Sequence, residues 1–219
     1  MELLNVSKAG AAWLMHIRDL NPRGKSIAED LLQWLGDAYH FTSKPSSITD
    51  LDETKGLKFA GGQFQVRDDF FIDVELRIYN DGFVGDTRSS TEDTDRFLED
   101  ILQTFSKEFN LPFRDDMIRR KLYHSEVTVR MDKGLAFLNS KLSEFSNKLA
   151  SLSGIGNAHM EPSGLKFWAL ETPNTQLSEF VIERELGSTL QEGRYWSKAR
   201  FHTSQHLEML KALEGILTY

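Results

Sequence analysis

Apolar and polar residues alternate with a period of two in the stretch IDVELRIY, residues 72–79. One side of this stretch carries Ile72, Val74, Leu76 and Ile78, and the other carries Asp73, Glu75, Arg77 and Tyr79. A period of two predicts a β-strand with one buried side. The following Asn-Asp-Gly predicts a tight turn, and FVGDT predicts a returning strand, so residues 72–87 should form a hairpin.

The same alternation predicts further strands along the chain. They are GGQFQVRD (61–68), YHSEVTVRM (123–131), GLKFWALE (164–171), SEFVIERELG (178–187) and GRYWSKARFH (193–202). Because each is only half apolar, each should bury one side and leave the other accessible. The grouping of strands followed by a helix recurs loosely, which leaves open whether the two halves of the chain are related.

Apolar residues spaced three and four apart predict helices in the first 42 residues. Residues 8–20 place Trp13, Leu14, Ile17 and Leu20 on one stripe, and a second helix begins at Ser26. Together they predict an N-terminal helical hairpin over residues 1–42. A polar, serine-rich link at 43–56 then separates this subdomain from an α+β main domain at 57–219.

Three more helices are predicted in the main domain. Ser90 should cap a helix that buries Phe97, Leu98, Ile101, Leu102, Phe105 and Phe109. A terminal helix should begin near Thr203. The helix over 135–152 carries Leu135, Leu138, Leu142, Phe145, Leu149 and Leu152 with coiled-coil spacing, but a helix lying on a sheet has the same stripe, and we favour packing into the core.

The order of elements predicts an α+β fold. Hairpins dominate and the strands are half apolar, so the sheet should be mostly antiparallel with helices on one face in a two-layer arrangement, plus the N-terminal helical hairpin.

Composition narrows the function classes. The chain has 219 residues, a formal net charge of −7 and no cysteine. The negative charge makes nucleic-acid binding unlikely without a local basic patch. The absence of cysteine excludes disulfides, cysteine-bound zinc and thiol nucleophiles. No signal peptide or spanning helix is evident, so we expect a soluble, cytoplasmic protein without a membrane partner.

Several catalytic and DNA-binding motifs fail on their spacing or residue types. Gly24-Lys25-Ser26 lacks the earlier glycine of a phosphate loop, and Ser26 with Glu29 favours a capping box instead. The second helix is acidic, which disfavours a DNA-recognition helix. His202 and His206 are four apart, but a helix that begins at Thr203 would leave His202 outside it. No G-x-S-x-G elbow occurs.

A metal site is one alternative interpretation of the polar strand faces. If the strand at 123–131 lay beside the strand at 72–79, His124 and Glu126 could join Asp73 and Glu75 as ligands of a divalent metal. This arrangement would suit a hydrolase acting on phosphodiesters. The simpler interpretation, which we favour, is a solvated or partner-facing sheet surface with cross-strand ion pairs.

A basic and aromatic stripe lies near the C-terminus. If extended, residues 194–202 place Arg194, Trp196, Lys198, Arg200 and His202 on one side, which could bind single-stranded nucleic acid or an acidic protein. We favour pairing of these cations with Glu179, Glu183 and Glu185 of the preceding strand.

The sequence therefore predicts a non-enzymatic protein-interaction or assembly module with no cofactor. Its partner would be another protein or a second copy, bound by an exposed sheet face. The predicted contact residues are Asp73, Glu75, Arg77, Tyr79, Trp168, Arg194, Trp196, Lys198 and Arg200. The metal-dependent hydrolase and the single-stranded nucleic-acid binder stay as alternatives.

Overall fold

The computed structural model describes residues 1–21, 28–46, 56–133, 135, 140–152, 160, 162–168 and 179–218. Within them the strands are β1 (Glu2–Leu14), β2 (Leu57–Arg67), β3 (Phe70–Tyr79), β4 (Gly82–Thr87), β5 (Arg120–Arg130), β6 (Gly164–Trp168), β7 (Glu179–Arg184) and β8 (Arg194–Ala199). The α-helices are α1 (Ile17–Leu20), α2 (Ala28–Ala38), α3 (Thr91–Glu108), α4 (Ser140–Leu152) and α5 (Thr203–Thr218). The strands form one antiparallel sheet in the order β2-β3-β4-β1-β5-β8-β7-β6, which confirms the α+β class.

The second half of the chain repeats the element order of the first. Apart from the four-residue α1, the described strands and α-helices of each half run strand, helix, three strands, helix. The strand order repeats as well, because β2-β3-β4-β1 and β6-β7-β8-β5 correspond one to one. The loose recurrence visible in the sequence is therefore a repeat at the level of topology.

The chain divides into two compact units. Unit 1 comprises residues 1–7, 126–200 and 204–219, and unit 2 comprises residues 8–125 and 201–203. The core of unit 2 contains Val74, Leu76, Phe83, Phe97, Leu98, Ile101 and Phe105, among others. The core of unit 1 contains Val127, Val129, Ile182, Tyr195 and Leu210.

Helix α3 approaches the sheet of unit 2 closely. A Cβ placed on Gly85 of β4 would lie 3.0 Å from Thr94 Cγ2 and 3.2 Å from Leu98 Cδ2. A side chain at this position would therefore require Thr94 or Leu98 to shift by a few tenths of an ångström. The close approach keeps the apolar stripe of α3 against the buried side of β3 and β4.

The hairpin and the α3 cap are confirmed. β3 pairs with β4 from Val74–Thr87 to Tyr79–Gly82, and Ile72, Val74, Leu76 and Ile78 of β3 are buried. Ser90 accepts a hydrogen bond from the Asp93 amide at 3.0 Å, as an N-cap does.

The predicted helix over residues 8–20 is wrong. Residues 2–14 form strand β1 and only Ile17–Leu20 are helical, so the N-terminal helical hairpin is not confirmed. Ala9, Ala11, Trp13 and Met15 are buried at a spacing of two. β1 pairs with β4, and this neighbour in space overrides the helical spacing of the sequence.

The predicted link at 43–56 is described only in part. Ser43 forms an antiparallel bridge with Ala60 of β2, and Gly56 is buried. Residues 47–55, and Ser26 with its capping box, lie outside the described residues. The boundary at 43–56 stays a prediction.

The predicted core packing of the 135–152 helix is wrong for most of its stripe. Leu135 is buried, but Leu142, Phe145, Leu149 and Leu152 of α4 are exposed, whereas Ser146 is buried. Leu138 lies outside the described residues. Helix α4 therefore buries a small polar side chain and presents its apolar stripe outward.

None of the helices in the described part of the chain combines the length and apolarity needed to span a bilayer.

Candidate functional site

Ion pairs cross four strands of unit 2 on the side opposite the buried residues of β3. We call this surface the ion-paired face and define it by Lys8, Lys58, Glu75, Arg77 and Asp86. Lys58 Nζ lies 3.8 Å from Glu75 Oε2, and Arg77 Nη2 lies 3.5 Å from the same oxygen. Arg77 Nη1 lies 3.2 Å from Asp86 Oδ2, and Lys8 Nζ lies 3.3 Å from Asp86 Oδ1. Cations and carboxylates thus alternate from β2 to β1.

The register explains why Arg77 occupies the centre of this face. Glu75 and Asp86 are direct partners across β3 and β4, so two carboxylates face each other. Arg77, two residues along β3, reaches both of them. Gly10 of β1 makes room for Asp86, because a Cβ there would lie 2.8 Å from Asp86 Oδ1. The like charges are therefore tolerated because a guanidinium bridges them.

The structure places the four predicted contact residues of β3 on the accessible side of the strand. Asp73 is exposed, while Glu75, Arg77 and Tyr79 are partly exposed. Since Glu75 and Arg77 already have partners within the sheet, their charges can be solvated or covered without a new partner.

A second accessible surface lies on unit 1. We call it the tryptophan face and define it by Lys166, Trp168, Glu179, Trp196 and Lys198. Lys166 and Lys198 both pair with Val181 in the ladder, and Trp168 pairs with Glu179, so these residues lie on one side of β6, β7 and β8. Ser197 and Ala199 of β8 are buried on the other side.

Two lysines hold the carboxylate of Glu179. Lys166 Nζ lies 2.8 Å from Oε1 and Lys198 Nζ lies 3.0 Å from Oε2, and the Glu179 side chain is only 10% exposed. Hydrogen bonds from Lys166 and then Lys198 lower the pKa of Glu179 to about 2 from an ordinary value of 4.5. The carboxylate is therefore ionised throughout the neutral range and keeps both ammonium groups in place.

An exposed indole lies beside this triad of Lys166, Glu179 and Lys198. Trp168 is 53% exposed, and the Lys166 ammonium lies over its ring at 4.5 Å from the centroid. Trp196 is partly exposed on the same side and is the direct partner of Glu183. The ammonium and the ring attract each other through this cation–π contact, and much of the indole stays accessible.

The predicted internal pairing of the basic stripe is confirmed for two of its cations. Lys198 binds Glu179. Arg194 Nε lies 2.6 Å from Glu185 Oε2, as an ion pair without hydrogen-bond geometry. Arg200 is exposed just beyond β8. Because two of the stripe's charges are already neutralised, it offers less attraction to a phosphate chain than its sequence suggests.

The structure does not bring the proposed metal ligands together. β4 and β1 lie between β3 and β5, so Asp73 and Glu75 are about 14 Å, or three strand spacings, from the strand that carries His124 and Glu126. The adjacency that the metal interpretation required is wrong. Among the described residues, no group of three or more histidine, aspartate or glutamate side chains could hold a metal ion.

The two histidines near the C-terminus have separate surroundings. α5 begins at Thr203, so His202 lies outside the helix, as predicted. The His202 ring stacks on Tyr123 at 3.7 Å. His206 is fully buried, and its Nε2 lies 2.8 Å from Ser197 Oγ, which itself donates to the Val181 carbonyl. His206 therefore packs in the core as a hydrogen-bonded side chain.

Sequence reasoning missed a polar network around Asp95 of α3. Trp13 Nε1 donates to Asp95 Oδ1 at 2.7 Å, and the Tyr123 hydroxyl donates to Asp95 Oδ2 at 2.9 Å. Burial, and then the bond to Asp95, raises the pKa of Tyr123 above its ordinary value. No local pattern in the sequence connects Asp95 with Trp13 or Tyr123.

It also missed three residues of the ion-paired face and one residue of the tryptophan face. Lys8, Lys58 and Asp86 complete the ion-paired face, and Lys166 completes the triad on the tryptophan face. The sequence could have placed Lys166 on a polar strand side, because it lies between Leu165 and Phe167 in a predicted strand.

Comparison with protein-family models and with curated proteins finds no match to this chain. The evidence for its function is therefore its geometry.

Proposed function

We propose that this chain is a non-enzymatic assembly module that associates with a second copy of itself through the tryptophan face. The observation that carries the proposal is Trp168, whose indole is 53% exposed on a sheet face. Tryptophan is among the residues most enriched at the energetic centres of protein interfaces. We also propose a two-layer arrangement, in which helices cover only the opposite side of these strands. We further propose a cytoplasmic location.

Charge favours a second copy as the occupant. Each chain carries a formal charge of −7, so two copies repel each other at long range. Among the described residues from β6 to the end of β8, the side that bears the tryptophan face carries three cations and three carboxylates: Lys166, Arg194, Lys198, Glu179, Glu183 and Glu185. This surface is formally neutral within an acidic chain. Two copies can therefore approach here without the repulsion that their net charges produce elsewhere.

The paired charges also limit the desolvation cost of docking. Glu179 already accepts from two lysines, so covering it does not leave an unpaired carboxylate. A twofold contact uses the same patch on both copies, and a neutral patch of alternating charges can be self-complementary. We propose that the ion-paired face, including Asp73, Glu75, Arg77 and Tyr79, is by contrast a solvated surface.

Sedimentation velocity over a series of protein concentrations tests this proposal. We expect a reversible monomer–dimer equilibrium that Trp168→Ala weakens at least tenfold, as for a central interface residue. Phe71→Ala is the matched control, because Phe71 is also an aromatic side chain, 55% exposed, on β3 of unit 2. It should leave the equilibrium unchanged.

Two results would contradict the proposal. One is a mass that stays at the 25.1 kDa monomer across the whole concentration series. The other is a dimer that Trp168→Ala and Phe71→Ala affect equally, since the tryptophan face would then not form the contact. Circular dichroism of both variants checks that each one is folded.

A further inference from the structure

A pocket opens in unit 2 where β5 begins. Its volume is about 440 Å³, within the usual range for small-molecule sites. The pocket is lined by Trp13 and by five charged residues, which are Glu99, Asp115, Arg119, Arg120 and Lys121. The pocket shares no residue with the ion-paired face, and its ligand is independent of the assembly proposed above.

Two cations of this pocket lack a carboxylate partner among the described residues. Arg119 binds the chain through its backbone amide, which donates to the Leu14 carbonyl at 2.9 Å, and its guanidinium forms no ion pair there. The Lys121 ammonium lies 3.6 Å from the centroid of the Trp13 ring and likewise forms no ion pair. The ring attracts this ammonium but does not neutralise it.

These free charges contrast with the sheet surfaces of the same chain. On the ion-paired face Lys8, Lys58 and Arg77 all lie within 4.0 Å of a carboxylate. The chain as a whole is acidic, so an anion is attracted only where local cations are unpaired. Arg119 and Lys121 supply such a place inside a concave site.

The excess of cations selects an anion. Arg119, Arg120 and Lys121 outnumber the two lining carboxylates, and a phosphate monoester, which carries about −1.5 to −2 at pH 7, has enough oxygens to contact both Arg119 and Lys121. A guanidinium presents parallel N–H donors to two phosphate oxygens, and an ammonium adds a compact charge.

The carboxylates of the pocket select the rest of the ligand. Glu99 of α3 and Asp115 accept hydrogen bonds when ionised and would repel a second phosphate. Glu99 Oε1 accepts a hydrogen bond from Gln103 Nε2 at 2.9 Å. Hydroxyl groups of a ligand are suitable hydrogen-bond donors to these two carboxylates.

We infer that this pocket binds a small, soluble phosphate monoester that also carries hydroxyl groups, of the sugar-phosphate class. Arg119 and Lys121 hold the phosphate, and Glu99 and Asp115 accept from the hydroxyl groups.

Isothermal titration calorimetry with ribose 5-phosphate tests the inference, with inorganic phosphate and ribose as separate probes. We expect ribose 5-phosphate to bind with a Kd of about 1 mM or tighter. Inorganic phosphate should bind more weakly, and ribose should give no measurable heat. Arg119→Gln and Lys121→Gln should each weaken ribose 5-phosphate binding at least about tenfold, because each removes a charge-assisted hydrogen bond.

Arg96→Gln is the matched control. Arg96 is an exposed arginine of α3 that pairs with Asp93 and does not line the pocket, so its loss changes the net charge equally. We expect its binding curve to match that of the wild type. Melting temperatures of all three variants show whether they are folded.

Three results would overturn the inference. Ribose 5-phosphate that gives no heat would show that the pocket takes no such ligand. Equal losses in Arg119→Gln and Arg96→Gln would show a bulk-charge effect. If inorganic phosphate bound as tightly as ribose 5-phosphate, Glu99 and Asp115 would recognise no hydroxyl group.

Discussion

Arg77 should stabilise unit 2 because it separates two carboxylates that the strand register forces together. Glu75 and Asp86 are direct partners in the β3–β4 ladder, and Arg77 lies 3.5 Å from one and 3.2 Å from the other. Arg77→Met keeps most of the aliphatic stem and removes the charge. The two carboxylates would then face each other, each left with a single lysine partner, Lys58 and Lys8 respectively.

The stability lost in Arg77→Met depends on how exposed its two ion pairs are to solvent. Exposed ion pairs contribute about 0.2–1 kcal/mol each. The pair with Asp86 is less screened, because the Asp86 side chain is 14% exposed and the Arg77 side chain is 29% exposed. Loss of two pairs, together with repulsion between opposed like charges, should cost about 1–2 kcal/mol. For a chain of this size that corresponds to a fall in Tm of about 2–8 °C.

Urea unfolding and thermal melting at low ionic strength measure this cost. We expect Arg77→Met to lose less stability in an Asp86→Asn background, since neutralising Asp86 removes both its pair and the repulsion. Arg114→Met is the matched control, because Arg114 and Asp116 form an ion pair in which both side chains are exposed. Its effect should stay within about 0.5 kcal/mol.

The bridging role would be refuted by equal losses for Arg77→Met in the wild-type and Asp86→Asn backgrounds. Equal losses would mean that the guanidinium acts through its packing and not through the carboxylates that it joins.

Three further predictions concern single groups. The pKa of Glu179 is lowered to about 2 from 4.5, so its charge stabilises the folded chain above pH 4.5 and this contribution is lost as the pH falls through 2. The melting temperatures of wild type and Glu179→Gln should therefore converge between pH 4.5 and 2, and a constant difference would contradict this. Tyr39→Phe removes a 2.7 Å hydrogen bond to Asp100 and should cost about 1 kcal/mol in urea unfolding. Ser90→Ala should cost about 1 kcal/mol by the same assay, because the amide of Asp93 loses its cap, and a loss below 0.3 kcal/mol would argue against the cap.

Local periodicity was sufficient to predict the elements that bury one full side. In β3 the residues at Ile72, Val74, Leu76 and Ile78 alternate with polar ones, and all four are buried. A shift of one position would expose all four, so the pattern permits only one register. α3 is the helical counterpart, with its cap and its apolar stripe both encoded within 20 residues.

β1 shows where local pattern fails. Alanine-rich sequence has high helix propensity, and Trp13, Leu14, Ile17 and Leu20 fit a helical stripe. Ala9, Ala11 and Trp13 fit a strand equally well, and their neighbour is β4, more than 65 residues away in sequence. Which interpretation applies depends on that partner, and propensity carries no information about it.

The distance along the chain to a partner also decides which charges could be assigned. Lys198 and Glu179 belong to consecutive strands of one hairpin, so their pairing was inferred from sequence. Lys8 and Asp86 meet only because β1 lies beside β4, a neighbour that the predicted helix concealed. A charged stripe read from sequence thus overstates the charge that is available for binding, since neighbouring strands, local or distant in sequence, neutralise part of it. Arg119 and Lys121 are informative for the opposite reason: with the described strands and helices in place, they still have no carboxylate.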